Sequence, residues 1–213
     1  MVDVRLSVVE EQTASGEVMD EREAVARARR GDEVMFSRLV ERYSRSLHRV
    51  VARILGDEEE AWDVVQMAWL RAWQRLARYD ERWRFSTWIH KIATNLAIDV
   101  LRARSSRERA HSTGGTVWLR PTPAGGRPGD LVEEKDVERI LADLVRDLSP
   151  QQRATFVLRE VEGLETSEVA AILGCSPVTV RNHVFQARKA LRRAMAERYP
   201  EYVPGGGSEK RGR

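Results

Sequence analysis

Residues 165–195 read ETSEVAAILGCSPVTVRNHVFQARKALRRAM. Thr166 or Ser167 is placed to cap a short helix running through Leu173. Gly174 supplies the positive φ of a tight turn, and Ser176 caps a second helix with Pro177 at its first position. Two short helices joined by a glycine-containing turn predict a helix-turn-helix, the unit that lays its second helix in a DNA major groove. In that helix Val180, Val184, Ala187 and Leu191 recur at helical spacing and point inward. Val178, Asn182, Phe185, Gln186 and Lys189 face the other way, flanked by Arg181 and Arg188. Asn and Gln pair bidentately with adenine and Arg with guanine, while an outward Phe suits a thymine methyl or a sugar. Arg192, Arg193 and Arg198 extend a basic ridge suited to phosphates. The plainer alternative, a helical hairpin with a solvated face, accounts less well for capped ends, turn glycine and polar outer face together. His183 lies near the inward edge and reads as a packing residue, and Cys175 as a small filler in the turn.

Working outward, residues 131–199 read as helix, with Ile140, Leu141, Leu144, Val145 and Leu148 at three- and four-residue spacing. Ser149-Pro150 caps the next helix, which ends near Gly163. Upstream, residues 105–130 (SSRERAHSTGGTVWLRPTPAGGRPGD) lose periodicity and are rich in Gly, Pro, Ser and Thr, so they are expected to be a linker. Its apolar island around Trp118 is expected to anchor on one domain; the alternative is a contact with a partner channel. Residues 21–104 contain no proline and read almost wholly as helix, punctuated by Gly31-Asp32 and Gly56-Asp57, where each Gly ends one helix and each Asp caps the next. Residues 1–20 and 200–213 are expected to be disordered tails. The expected architecture is all-α: two helical domains joined by a flexible linker.

The chain has 213 residues, 42% apolar and 32% charged, with one cysteine and a net charge of +3. No apolar run is long enough to span a membrane, the acidic start is not a signal peptide, and one cysteine excludes an internal disulfide framework. A cytoplasmic, nucleoid-associated protein without membrane insertion is expected, monomeric when free. Its four histidines show no metal-ligand spacing, and no catalytic cluster or nucleotide loop is evident, so neither an enzyme nor a cofactor is expected. Charge is distributed unevenly. Residues 57–63 carry five acids and no base, residues 82–109 seven bases against two acids, residues 136–168 eight acids against four bases, and residues 176–198 six bases against one acid. Alternating blocks suit a protein with two kinds of partner, one of them nucleic acid.

The acidic block opens a helix over residues 57–77, DEEEAWDVVQMAWLRAWQRLA. Trp62, Val65, Trp69 and Trp73 fall along one side, with Ala61, Val64 and Ala68 beside them, and are expected to be core. Asp63, Gln66 and Leu70 form a more exposed stripe. Five acids exceed what the helix dipole favours and point to a basic partner surface. The loop Tyr79-Asp80-Glu81-Arg82-Trp83-Arg84-Phe85 then leads into a helix bearing Lys91, Asn95 and Arg102 on its outward side and Trp88, Ile92, Leu96 and Val100 inward. Aromatic rings interleaved with arginines are the chemistry of single-stranded DNA, whose bases stack on ring and guanidinium planes. Closing the core is the competing role for Trp83 and Phe85.

Taken together, these segments resemble the sigma-70 family. EAWDVVQMAWLRAW is similar to the polymerase-binding helix of sigma region 2, RFSTWIHKIATNLAIDVLR to the adjoining segment that melts and reads the −10 element, and residues 148–195 to the −35-reading region 4. Two domains and a short linker are the layout of the extracytoplasmic-function (ECF) subfamily. The resemblance implies region 2 over 21–104, region 4 over 131–199, and core RNA polymerase as partner through its β′ clamp and β flap, with promoter DNA and an anti-sigma protein besides. It further implies polymerase contacts at Asp63, Gln66, Trp69 and Leu70. The −10 contacts would be Arg82, Trp83, Arg84, Phe85, Lys91, Asn95 and Arg102, and the −35 contacts Val178, Thr179, Arg181, Asn182, Phe185, Gln186, Arg188 and Lys189. Trp62 and Met67 stand where the family commonly has acids, and His183 and Gln186 where it commonly has bases, so the −35 preference does not carry over. Three rivals remain: a conventional helix-turn-helix regulator that binds DNA without polymerase, a base-flipping enzyme, and a structural adaptor.

Overall fold

The computed structural model describes residues 20–112 and 134–202. It is all-helical there, with α1 (Glu21–Ala28), α2 (Glu33–Leu55), α3 (Glu58–Arg75), α4 (Phe85–Ser112), α5 (Glu134–Leu144), α6 (Pro150–Phe156), α7 (Thr166–Leu173) and α8 (Pro177–Arg198). The tails and the linker with Trp118 lie outside the described residues except at their edges, and the edges extend the helical modules. Asp20 caps α1 through the Arg22 N–H, α4 continues to Ser112 rather than stopping at residue 104, and Pro200–Tyr202 forms a 3-10 turn.

Local chemistry sets the boundaries. Gly31 and Gly56 have positive φ, and the side chains of Asp32 and Asp57 accept hydrogen bonds from the N–H groups of Met35 and Glu60. Each cap satisfies a backbone donor that the helix leaves open. Arg104 donates to the Leu55 carbonyl at 3.1 Å, closing the C-terminal end of α2 from a different helix. The start of α4 is closed in a similar way by Glu21, whose carboxylate accepts from the Phe85 N–H at 3.3 Å and from the Tyr43 hydroxyl. α6 begins with a capping box, Ser149 with Gln152, and runs on through a π-helical turn over Val157–Val161. At α7 the sequence-based cap is corrected: Glu165 holds the cap position, its N–H donating to the Glu168 carboxylate at 3.0 Å, and Thr166 is already the first helical residue.

The core of the first module lies between α2, α3 and α4. Leu39, Leu47 and Ile54 of α2 and Phe85 and Ile89 of α4 are fully buried, each burial contributing about 1.5–3 kcal/mol. α3 presents Ala61, Val65, Ala68 and Ala72 to the interior, and these small residues let α2 and α4 approach closely. The expected core stripe on α3 is therefore shifted. Val65 and Trp69 are buried, but Trp62 and Trp73 are 43% and 38% exposed; they lie on the rim, where Trp62 stacks on His48 and Trp73 packs on Phe36.

In the second module Ile140 and Leu144 of α5 pack with Ala194 and Tyr199, and Val145 and Leu148 with Ala187. Arg198 ties α5 to α8 through Asp143, at 2.6 Å, and Asp147. Ala154, Val157, Leu158, Val169, Ala170, Ile172 and Val180 do not join those clusters; they are continuous with the core of the first module. α6 and α7 pack directly on α4.

Candidate functional site

Three surfaces carry the residues singled out by sequence. On α3, Asp63, Gln66 and Leu70 are exposed, Leu70 by 52%. Trp69 is 6% exposed, its indole N–H donates to the Ser44 hydroxyl at 3.0 Å, and it packs edge-on against Phe36, so it lies in the core beneath this face, as its place in the apolar stripe predicts, and little of it reaches the surface where a contact was expected.

The loop before α4 divides between two roles. Trp83 is 52% exposed, and its carbonyl accepts from the Tyr79 hydroxyl at 2.5 Å, which holds the loop while leaving the indole outside. Phe85 is a correction: it is fully buried among Tyr43, Tyr79, Trp88 and Trp69, with ring centroids 5.6–6.3 Å away, and closes the core. Arg82 is exposed but bound side-on by Asp80, with its Nε 2.9 Å from Oδ2. That pairing holds the Asp80 carboxyl below its usual range. Arg84, Lys91, Asn95 and Arg102 are exposed, Arg102 beside Asp99 at 3.4 Å.

The helix-turn-helix forms as its sequence predicts. Gly174 turns with φ 65°, and Ser176 caps α8 through the Thr179 N–H. Val180 and Ala187 are buried and Val184 and Leu191 half-buried, while Val178 and Phe185 are 56% and 60% exposed beside exposed Arg181, Asn182, Gln186 and Lys189. Thr179 is half-buried, its hydroxyl 2.9 Å from that of Ser176. His183 approaches the Thr155 hydroxyl at 3.3 Å, in keeping with a packing role. Arg188 is exposed but paired with Glu160 of the π turn. The basic ridge is shorter than expected, because Arg198 is committed to Asp143 and Asp147 and Arg193 pairs with Glu197.

Sequence reasoning missed a charged joint between the modules. Glu162 is 4% exposed and pairs with Arg53 and, at 3.6 Å, with Arg49, both on α2. On α6, Arg153 is 4% exposed with no partner for Nε or Nη2, and desolvation together with the nearby Arg104 and Arg146 lowers its pKa to about 10. No sequence signal links Glu162 to residues more than a hundred positions away.

An exposed reading helix behind a glycine turn, and an aromatic-basic loop over a three-helix core, define a two-module DNA-reading protein. Residues 39–107 match the family model for sigma-70 region 2, and residues 138–191 that for sigma-70 region 4. The ECF RNA polymerase sigma-E factor of Escherichia coli K12 is 31% identical, over 78% of this chain and 90% of its own, and the ECF sigma factor SigW of Bacillus subtilis is 28% identical, over 81% and 95%. CnrH, solved in complex with the cytosolic domain of CnrY, shares the fold at a TM-score of 0.60 and 23% identity, covering 83% of this chain and 97% of that one. This chain belongs to the sigma-70 family, and within it to the ECF sigma factors.

Proposed function

We propose that the chain docks on core RNA polymerase through the exposed Asp63–Gln66–Leu70 face of α3, reads the −35 element with α8 and captures unpaired −10 bases with Trp83 and the outward side of α4. The second module would meet the β flap and the first the β′ clamp. One observation supports this reading: of the residues matched to the family's contacts, the polar and basic ones other than half-buried Thr179 stand exposed on three separate faces, while Trp69 and Phe85 pack beneath the two faces of the first module. Action is by binding, not by catalysis. Flipped bases stack on an aromatic plane with basic groups at the phosphates, and the major-groove edge is read by Arg181, Asn182 and Gln186, with Phe185 against a methyl or sugar. Arg82, Arg84, Lys91, Asn95 and Arg102 line the −10 side, and Val178, Thr179, Arg188 and Lys189 flank the −35 side. An anti-sigma protein restrains the factor, which works in the cytoplasm at the nucleoid. Among the described residues no helix is long and apolar enough to cross a membrane.

Run-off transcription of genomic fragments with purified core polymerase tests this. Discrete transcripts that need the chain, and vanish with Asp63→Arg or Arg181→Ala, are expected. Tight sequence-specific DNA binding by the chain alone, with no polymerase dependence, would overturn it in favour of a conventional regulator.

A further inference from the structure

The indole of Trp83 stands in solvent, yet the backbone that carries it is fixed on both sides. Its N–H donates to the Asp80 carbonyl at 3.1 Å, and its carbonyl accepts from the Tyr79 hydroxyl at 2.5 Å. The Asp80 carboxylate tightens the same turn by accepting from the Arg82 N–H at 3.1 Å. Tyr79 is itself buried against Phe85 and Trp88, with ring centroids 5.7 and 5.2 Å away, so the hydroxyl that reaches Trp83 rides on a ring locked in the core. Desolvation, and after it the charge of Glu21, raises the Tyr79 pKa, which keeps that hydroxyl protonated and donating.

α1 ties down both ends of this loop. At the start of α1, the Glu21 carboxylate accepts from the Tyr43 hydroxyl and from the Phe85 N–H, a donor that α4 leaves open. At the C-terminal cap of α1, Arg29 donates to the Glu81 carboxylate at 2.5 Å and to the Ala77 carbonyl at 3.4 Å. The Glu81 pair lies at the surface and is weak by itself; together with the Ala77 contact it sets where the loop leaves the end of α3. None of Glu21, Arg29 and Tyr79 is among the residues matched to the family's contacts. An exposed indole adds little to the core, so fixing its backbone gives the fold little. What it does lower is the ordering cost of stacking a partner on that ring.

We propose, resting on the reading of Trp83 as a −10 contact, that Tyr79, Glu21 and Arg29 are positioning residues for base capture: they hold the Trp83 backbone and the two ends of its loop, so that the indole is in place before an unpaired base arrives. They touch no DNA and act through Trp83. Because the loop is ordered in advance, their loss slows strand opening and leaves the docking of α3 on polymerase and of α8 on the −35 element as they are.

Opening kinetics of the holoenzyme, built with the full chain on a promoter found by run-off transcription, separate the two stages. Permanganate reactivity followed over time at several holoenzyme concentrations gives the affinity of the initial complex and the limiting rate of opening. Tyr79→Phe deletes only the hydroxyl and is expected to lower the limiting rate roughly five-fold, the weight of one net hydrogen bond, with the initial affinity unchanged. Arg29→Ala is expected to lower it roughly two-fold, as a surface pair allows. Arg30→Ala, its exposed neighbour, is expected to leave both quantities unchanged. In a Trp83→Ala background Tyr79→Phe is expected to add nothing, since a residue that acts through another is not additive with it. A normal limiting rate in Tyr79→Phe beside a slow Trp83→Ala would overturn the positioning role and keep the −10 reading. So would a Tyr79→Phe effect that persists in full beside Trp83→Ala, or one that appears in the initial affinity with a lowered melting temperature. A Trp83→Ala holoenzyme that opens the promoter at the normal rate would overturn the −10 reading of Trp83 and the positioning role together.

Discussion

Trp83 and Phe85 stand two positions apart in one loop and meet opposite surroundings. Phe85→Ala is expected to destabilise the chain by about 4 kcal/mol, because it empties the centre of an aromatic cluster; a urea titration checks this. Trp83→Ala removes an exposed ring and is expected to leave the melting temperature nearly unchanged. In the holoenzyme it should weaken promoter opening roughly ten-fold, the stacking of one base, measured by permanganate reactivity of unpaired thymines. A loss of stability in Trp83→Ala, or none in Phe85→Ala, would reverse their roles. His90 supplies a pH dependence. Desolvation holds its pKa below the ordinary 6.5, while the Ser86 carbonyl and Glu162 pull it up and Arg49 pulls it down. Above pH 6.5 the ring is neutral in folded and unfolded chains alike. As pH falls through 6.5 the unfolded chain takes up a proton that the folded one resists, so stability declines, until pH passes the folded pKa. Urea titrations at pH 7.5 and 5.5 should show that decline, and His90→Gln should flatten it.

Among the elements, α8 is the one whose start is set most plainly by local sequence. Its start rests on one cap, and Ser176→Ala is expected to cost about 1 kcal/mol of stability, read as a lower urea midpoint with unchanged slope. Asn182→Ala, on the outer face, should leave that midpoint in place while weakening transcription from −35-dependent promoters. The helix-turn-helix was legible because all its determinants are local: a glycine at φ 65°, a Ser-Pro start, and a buried side set by helical spacing. α3 was legible as a helix but not in its burial. Ala61, Ala68 and Ala72 take the centre of the contact, and this pushes Trp62 and Trp73 to the rim. Periodicity gives a direction on the helix; how near the neighbouring helices come decides which large side chains stay wet. α4 outran its expected end because Ser-Arg-rich sequence is compatible with helix once the preceding turns are anchored by packing.

For the molecule as a whole, the second module borrows its core. Leu158, Val169, Ala170 and Val180 pack into the cluster that α2, α3 and α4 build, and among the described residues the module has two small clusters of its own besides. A fragment spanning 134–202 is therefore expected to melt at a lower temperature than the same helices in the full chain, as followed by circular dichroism. A fragment as stable as the full chain would mean that the shared core contributes little.

The sequence by itself determined the class: helix periods, capping residues and turn glycines act over a few positions, and the alternation of charge and the two contact motifs lie in plain order along the chain. Tertiary structure alone decided which matched residues face outward, as with Trp83 against Phe85 and Leu70 against Trp69, because burial depends on neighbours from other helices. It alone brought Glu162 to Arg49 and Arg53 and left Arg153 without a partner, because a long-range ion pair is set by how two modules dock, and no local rule of spacing encodes that.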